Sequence, residues 1–176
     1  QEKLLDKVVP TLFIGAGGTG AEVLWRIRRR ILSRVWRGQN GPTRLTKLDE
    51  FPFAEFLHID LDSSTITESG KSSDDPLAAA IAFKPSESLV KKLDLSKYIA
   101  TSETLDRFPH VKEWFPLTPE RVSALKINPE KGAGQIRSIS TLYFVDRYQE
   151  IKSSIAAALS NLRVSVQNEQ QHKKLG

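Results

Sequence analysis

Gly15-Ala16-Gly17-Gly18-Thr19-Gly20 stands between a β-branched apolar run and a helical pattern. Glycine lets a backbone enter left-handed conformations and approach a ligand with no Cβ in the way. A helix that starts at such a turn aims its free N–H groups and the positive end of its dipole at an anion. Gly15, Gly17 and Gly20 satisfy G-x-G-x-x-G, and the chemistry this suits is holding a phosphate. Two other places deserve the same scrutiny. Asp60 and Asp62 end a second apolar run, and Gly132-Ala133-Gly134-Gln135 forms a second glycine turn before a long helical pattern. Each has a plain alternative: a tight strand–helix turn, a solvated strand end and an ordinary helix start.

The flanking elements decide whether these residues can act. Residues 8–14, VVPTLFI, read as a buried strand, with Pro10 near its start where a missing N–H is tolerated. From Ala21, apolar residues at 23, 24, 27, 31 and 35 recur at intervals of three and four, which predicts an amphipathic helix of about 18 residues. Gly38, Gly41 and Pro42 should end it, and 38–52 read as a loop. A second strand is expected over 54–60, then a polar, soft stretch over 63–76. Short helical pieces follow between 77 and 128: Ser88 to Leu93, a turn at Asp94–Lys97, and a helix begun by Thr118-Pro119 and running to about Leu125. Trp114-Phe115-Pro116 should pack on the main core. One long helix is expected from about Ile136 to Val164, and the last dozen residues read as a frayed polar tail or a linker cut short. No internal repeat is visible.

Composition removes several kinds of chemistry. The 176 residues are 39% hydrophobic and 27% charged, ordinary for one globular domain. There is no Cys, which excludes a disulfide framework, a thiol nucleophile and Cys-ligated zinc or iron–sulfur. The three His, at 58, 110 and 172, form no close pair of metal-ligand spacing. No apolar run reaches the roughly 18 residues a membrane span needs. The chain begins at Gln1 and has no Met, as expected of a piece of a longer protein. The net charge of +5 is local: 22–37 holds Arg26, Arg28, Arg29, Arg30, Arg34 and Arg37 against Glu22, and the remainder is neutral.

Two common nucleotide motifs fit poorly. A dinucleotide fold places its ribose-binding acid about 20 residues after the glycines, whereas Asp60 follows Gly20 by 40. An NAD- or FAD-binding domain of an oxidoreductase therefore stands as the second reading. Gly70-Lys71-Ser72 looks like the end of a P-loop, but Thr65 occupies the required glycine position and no apolar strand precedes it.

Taken together, GAGGTG after the first strand, IDLD after the second and GAGQ before a long helix resemble the tubulin-type GTPases, which include the bacterial cell-division tubulin homologue. The likeness is strongest to large bacterial tubulin-like proteins, whose opening reads like PTLFIGAGGTGAEVLWRIRRR and which carry WFP before GAGQIR. It covers about residues 8–165. It implies a three-layer α/β fold, a Rossmann-like parallel sheet with helices on both faces forming a tubulin-type nucleotide-binding half-domain over 1–165, with 166–176 as a tail. It implies GTP or GDP with Mg²⁺ as ligands. Gly15, Gly17, Gly18, Thr19 and Gly20 would cradle the α and β phosphates. Asp60 and Asp62 would reach the ribose, or the metal through water. Gly132, Ala133, Gly134 and Gln135 would face the terminal phosphate. It also implies a cytoplasmic protein that self-assembles, completing hydrolysis at the contact between subunits.

The departures are equally informative. The family's GGGTG[ST]G loop after a fourth strand is absent, as is the later acidic loop that acts on a neighbour's nucleotide. This stretch is thus expected to carry half of a site and to be inactive as a GTPase alone. Arg26, Arg29, Arg30, Arg34 and Arg37 should lie opposite the helix's apolar stripe, either as a solvated face or as a surface for an acidic partner, nucleic acid or a neighbouring subunit. A non-enzymatic interaction module with a vestigial site, docking through this helix, is the third reading.

Overall fold

The computed structural model describes residues 3–4, 8–38, 41–61, 77–101, 103–124 and 136–175. Asp62, the 63–76 stretch and the whole Gly132–Gln135 turn lie outside them.

The strands are β1 (Lys3–Leu4), β2 (Thr11–Ala16), β3 (Val35–Gly38), β4 (Gly41–Arg44), β5 (Ala54–Asp60) and β6 (Ser88–Val90). The helices are α1 (Gly17–Leu32), α2 (Ala78–Ile81), α3 (Ser96–Ile99), α4 (Pro109–Lys112), α5 (Pro119–Ala124), α6 (Arg137–Asp146) and α7 (Tyr148–Leu175). The main sheet is wholly parallel in the order β2-β5-β6. A parallel strand in the middle of such a sheet is covered on both faces, and β5, AEFLHID, is buried from Phe56 to Asp60, with His58 and Asp60 interrupting its apolar residues. Its side chains alternate between two cores. Leu57, Ile59 and Leu61 pack with Val111, Phe115, Ile139, Leu142 and Tyr143. Phe56 packs with Ala21, Leu24 and Ile31 of α1 and with Ile81 and Phe83. Helices therefore cover both faces, and the expected α/β, three-layer, Rossmann-like architecture is what forms.

Several local expectations are corrected. β2 begins at Thr11, and Gly15 and Ala16 extend it into the glycine turn. α1 stops at Leu32, so Val35 lies in a strand. β3 and β4 form an antiparallel hairpin that runs into the expected loop, and β1 joins the hairpin in parallel. The helical spacing of Val35 was shared with a β-branched, aromatic pair, Val35-Trp36, and the strand prevailed because Trp36 buries against Phe51. Ser88–Val90, expected to be helical, is the third strand of the main sheet, pairing with β5. Its three residues are too few for periodicity to separate strand from helix.

The long C-terminal helix is two helices that break at Arg147, whose φ of −102° and ψ of 14° leave the helical range. Helical backbone then continues to Leu175, through the stretch expected to fray. Of the WFP triplet, Phe115 is buried in the core as expected, whereas Trp114 and Pro116 are exposed. Pro119 does begin a helix, and Thr118 Oγ1 accepts from the Arg121 N–H at 3.4 Å.

Candidate phosphate site at the glycine turn

Gly15 and Gly20 are the packing glycines. A Cβ on Gly15 would lie 2.6 Å from the Gly20 carbonyl oxygen and 2.9 Å from Leu24 Cδ1. A Cβ on Gly20 would lie 2.6 Å from the Gly15 carbonyl carbon. Backbone meets backbone there, which lets α1 start hard against the end of β2. Gly17 differs: its φ is +66°, the left-handed region, and a Cβ added to it would meet nothing within 4 Å. Gly17 makes the sharp turn and borders open space.

No side chain of α1's own first turn offsets the positive end of its dipole. Its N-cap is Ala16, which cannot cap through its side chain, and no Asp or Glu lies in the first turn. An α-helix leaves the N–H groups of its N-cap and first three residues without intrahelical partners, which after Ala16 are those of Gly17, Gly18 and Thr19. Gly18 and Thr19 are exposed. The geometry suits an anion at this end of the sheet.

Beneath the turn lie groups that motif reading passed over. His58, fully buried, belongs to β5, which pairs in register with β2, His58 against Gly15. Its Nε2 lies 3.3 Å from the Gly17 carbonyl and 3.6 Å from Asp60 Oδ2, and its Nδ1 lies 3.4 Å from Ser88 Oγ. The ring stacks on Phe83 at 5.1 Å between centroids. The signal available beforehand was His58-x-Asp60, since a spacing of two on a strand puts both on one face.

Asp60 closes β5 beside the glycine turn, as its place in the sequence required. Its carboxylate is nearly buried, and Oδ1 accepts from the Leu61 N–H at 2.7 Å. Its carbonyl accepts from Tyr143 Oη at 3.0 Å and from the Lys91 N–H at 3.2 Å. Burial pushes the Tyr143 phenol up to about 12, so it remains a donor at neutral pH and fastens α6 to the end of β5. The structure thus brings Gly15–Gly20 and Asp60 together at one end of the sheet.

The arginine segment divides. Arg26, Arg29 and Arg30 lie on α1, beside an open groove of about 480 Å³ that also includes Val23, Ile27 and Ser33. Arg34 follows the helix and Arg37 is on β3, so the expected single helical face of five does not form. Arg28 points inward and is 1% exposed. Its Nη1 and Nη2 donate to Glu87 Oε2 at 3.0 and 3.1 Å, Nη2 also donates to the Ala82 carbonyl at 2.8 Å, and the guanidinium lies over Phe56 and Phe83. Burial pushes its pKa down and Glu87 opposes that shift. A guanidinium stays charged under such pressure. Arg28 is one helical position from residues that face solvent, and nothing in the spacing of Glu87 marks them as a pair.

A family model described as tubulin-like matches residues 12–176. The chain belongs to the tubulin-like family. The match spans β2, the glycine turn, β5 and both C-terminal helices of this tubulin-like chain, so the resemblance carried by three short loops extends to nearly all of it. No curated protein and no solved structure matches it. No helix among the described residues is long and apolar enough to cross a membrane.

Proposed function

We propose that this tubulin-like chain supplies the first half of a GTP/GDP site. The observation that carries the reading is the start of α1: a 16-residue helix with no side-chain cap and no acid in its first turn, opening at a glycine of φ +66° that faces empty space. Gly15 and Gly20 set the close strand–helix contact, while Gly17, Gly18 and Thr19 offer N–H groups to the α and β phosphates. Membership of the family supports GTP as the nucleotide, and Gly132, Ala133, Gly134 and Gln135 are assigned to its terminal phosphate.

The residues present suit the phosphates better than the metal. Asp60 is nearly buried and already bonded to Leu61 N–H, so Asp62 is the carboxylate assigned to the ribose or to water on Mg²⁺. When bound, Mg²⁺ neutralises charge on the phosphate oxygens. In the intact protein, located in the cytoplasm, copies assemble and hydrolysis is completed across the subunit contact. Residues 1–165 are the N-terminal part of the nucleotide-binding domain. Arg26, Arg29 and Arg30, which line one groove on α1, are the part of the arginine segment assigned to an acidic partner.

Thermal shift of the longer natural chain with GTP, ATP, NAD and FAD tests this reading. Stabilisation by GTP is expected. Stabilisation by NAD or FAD alone would establish the dinucleotide reading instead, and indifference to all four would favour the interaction module.

A further inference from the structure

We propose that His58 is a positioning residue that sets the orientation of the Gly17–Gly18 peptide, and so aims the Gly18 N–H at the phosphate; the inference rests on the nucleotide reading above. The Gly17 carbonyl can only accept, so the nitrogen facing it at 3.3 Å, Nε2, must carry a proton. Asp60 Oδ2, 3.6 Å from the same nitrogen, is a second acceptor and favours the same assignment. Nδ1 is then free to accept from the Ser88 hydroxyl at 3.4 Å. Both ring nitrogens of the fully buried side chain thereby have a partner with the proton on Nε2.

The consequence for the turn is stereochemical. In a planar trans peptide, C=O and N–H point in opposite directions. A Gly17 carbonyl directed at His58 leaves the Gly18 N–H of the same peptide pointing away from that ring, and Gly18 is exposed. Glycine does not hold a peptide plane by itself, because its φ/ψ range is the widest of any residue. Gly17 opens α1, so the helix's own first hydrogen-bonded turn holds this carbonyl on one side, and His58 is, among the described residues, the side chain that adds a bond to it from outside the helix. Phe83 and Ser88 fix the ring, and β5 fixes its height beneath Gly17. The acidic strand end and the glycine turn then move together, because one N–H faces both.

The test uses the full chain and three readouts. Nitrogen-15 NMR of the ligand-free protein should show His58 as the Nε2–H tautomer. Backbone relaxation should give Gly18 a rigid order parameter near 0.85, falling below about 0.6 in His58→Phe, which keeps an aromatic ring but loses the donor. GTP affinity should fall about tenfold or more in His58→Phe and return to within about threefold of wild type in His58→Gln, whose amide restores a donor. An Nδ1–H tautomer, or a rigid Gly18 with unchanged affinity in His58→Phe, would overturn the proposal. Should His58→Phe not fold, His58→Gln and the wild-type tautomer still decide it: a flexible Gly18 in wild type overturns it. Wild type that binds no GTP, yet shows the expected tautomer and Gly18 rigidity, would defeat the nucleotide reading and leave the positioning role standing.

Discussion

At Gly20 a methyl group would press on the backbone of Gly15, while at Gly17 it would enter empty space on a left-handed backbone. The two glycines therefore fail differently. Gly20→Ala should cost roughly 1–3 kcal/mol of folding stability, as overpacking does, read as a lowered urea midpoint. Gly17→Ala should cost about 1–2 kcal/mol, the left-handed penalty alone, and should weaken GTP binding by more than its loss of stability. Equal urea midpoints for Gly20→Ala and wild type would mean that strand and helix are not in close contact. The buried ion pair makes a second residue-scale prediction. Arg28→Met leaves the Glu87 carboxylate without the partner it has in the core and should cost about 3–5 kcal/mol. Arg28→Met with Glu87→Gln should recover much of that loss, and a double variant as unstable as the sum of the singles would refute the coupling. The glycines were legible because their motif is local. Arg28–Glu87 was not, because 59 residues separate the partners and only the fold makes them neighbours.

Between elements, the junction at Arg147 is held by Asp146. Its Oδ1 accepts from Lys97 Nζ at 2.5 Å and from Tyr98 Oη at 2.6 Å, so α3 is bound to the point where α6 gives way to α7. Arg147 Nη2 donates to the Lys92 carbonyl at 2.9 Å and Nη1 to Glu150 at 2.8 Å. Burial works to raise the Asp146 carboxyl, but the Lys97 and Tyr98 hydrogen bonds outweigh it and hold it below the usual carboxylate range. A depressed carboxyl contributes stability above its unfolded pKa, and that contribution is lost as pH falls through the folded value. Wild type should therefore lose stability progressively below about pH 4, and Asp146→Asn should be less stable at pH 7 with a shallower acid branch. Circular dichroism of both proteins in urea across pH 2–7 checks this, and parallel acid branches would exclude Asp146 as a contributor. Sequence periodicity read one continuous helix here and missed the break, because apolar spacing continues across it. In the same way β6 and the β3–β4 hairpin escaped, since strands of three or four residues carry too little pattern to outvote a helical neighbour.

For the whole molecule, the reading of half a site makes the chain a binder before it is a catalyst. The purified 176-residue chain should show no turnover of GTP that rises with protein concentration, and phosphate release is the assay; such turnover would show that the hydrolytic groups lie within it. In the longer natural protein, hydrogen exchange over 131–137 should slow more with a non-hydrolysable GTP analogue than with GDP. Fixing each residue there costs about 1–2 kcal/mol of backbone entropy, which only a terminal phosphate contacting the turn would offset. Equal protection in the two states would make that turn structural. At this scale the sequence was most informative, because three loops in a fixed order survive any error in the elements between them.

The buried partners of α1 also impose an order on synthesis. The carbonyl of Gly17 waits 41 residues for His58, and Arg28 waits 59 for Glu87. A ribosome adding about 5–20 residues per second makes α1 seconds before either partner exists. Until then its guanidinium must stay hydrated, because burying a lone charge is prohibitive. The nascent helix is therefore kept off the growing sheet by its own charge, and docking is deferred until Glu87 has left the tunnel. A stalled nascent chain ending before Glu87 should leave Arg28 open to arginine-modifying reagents, and one carrying Glu87 well clear of the ribosome should protect it.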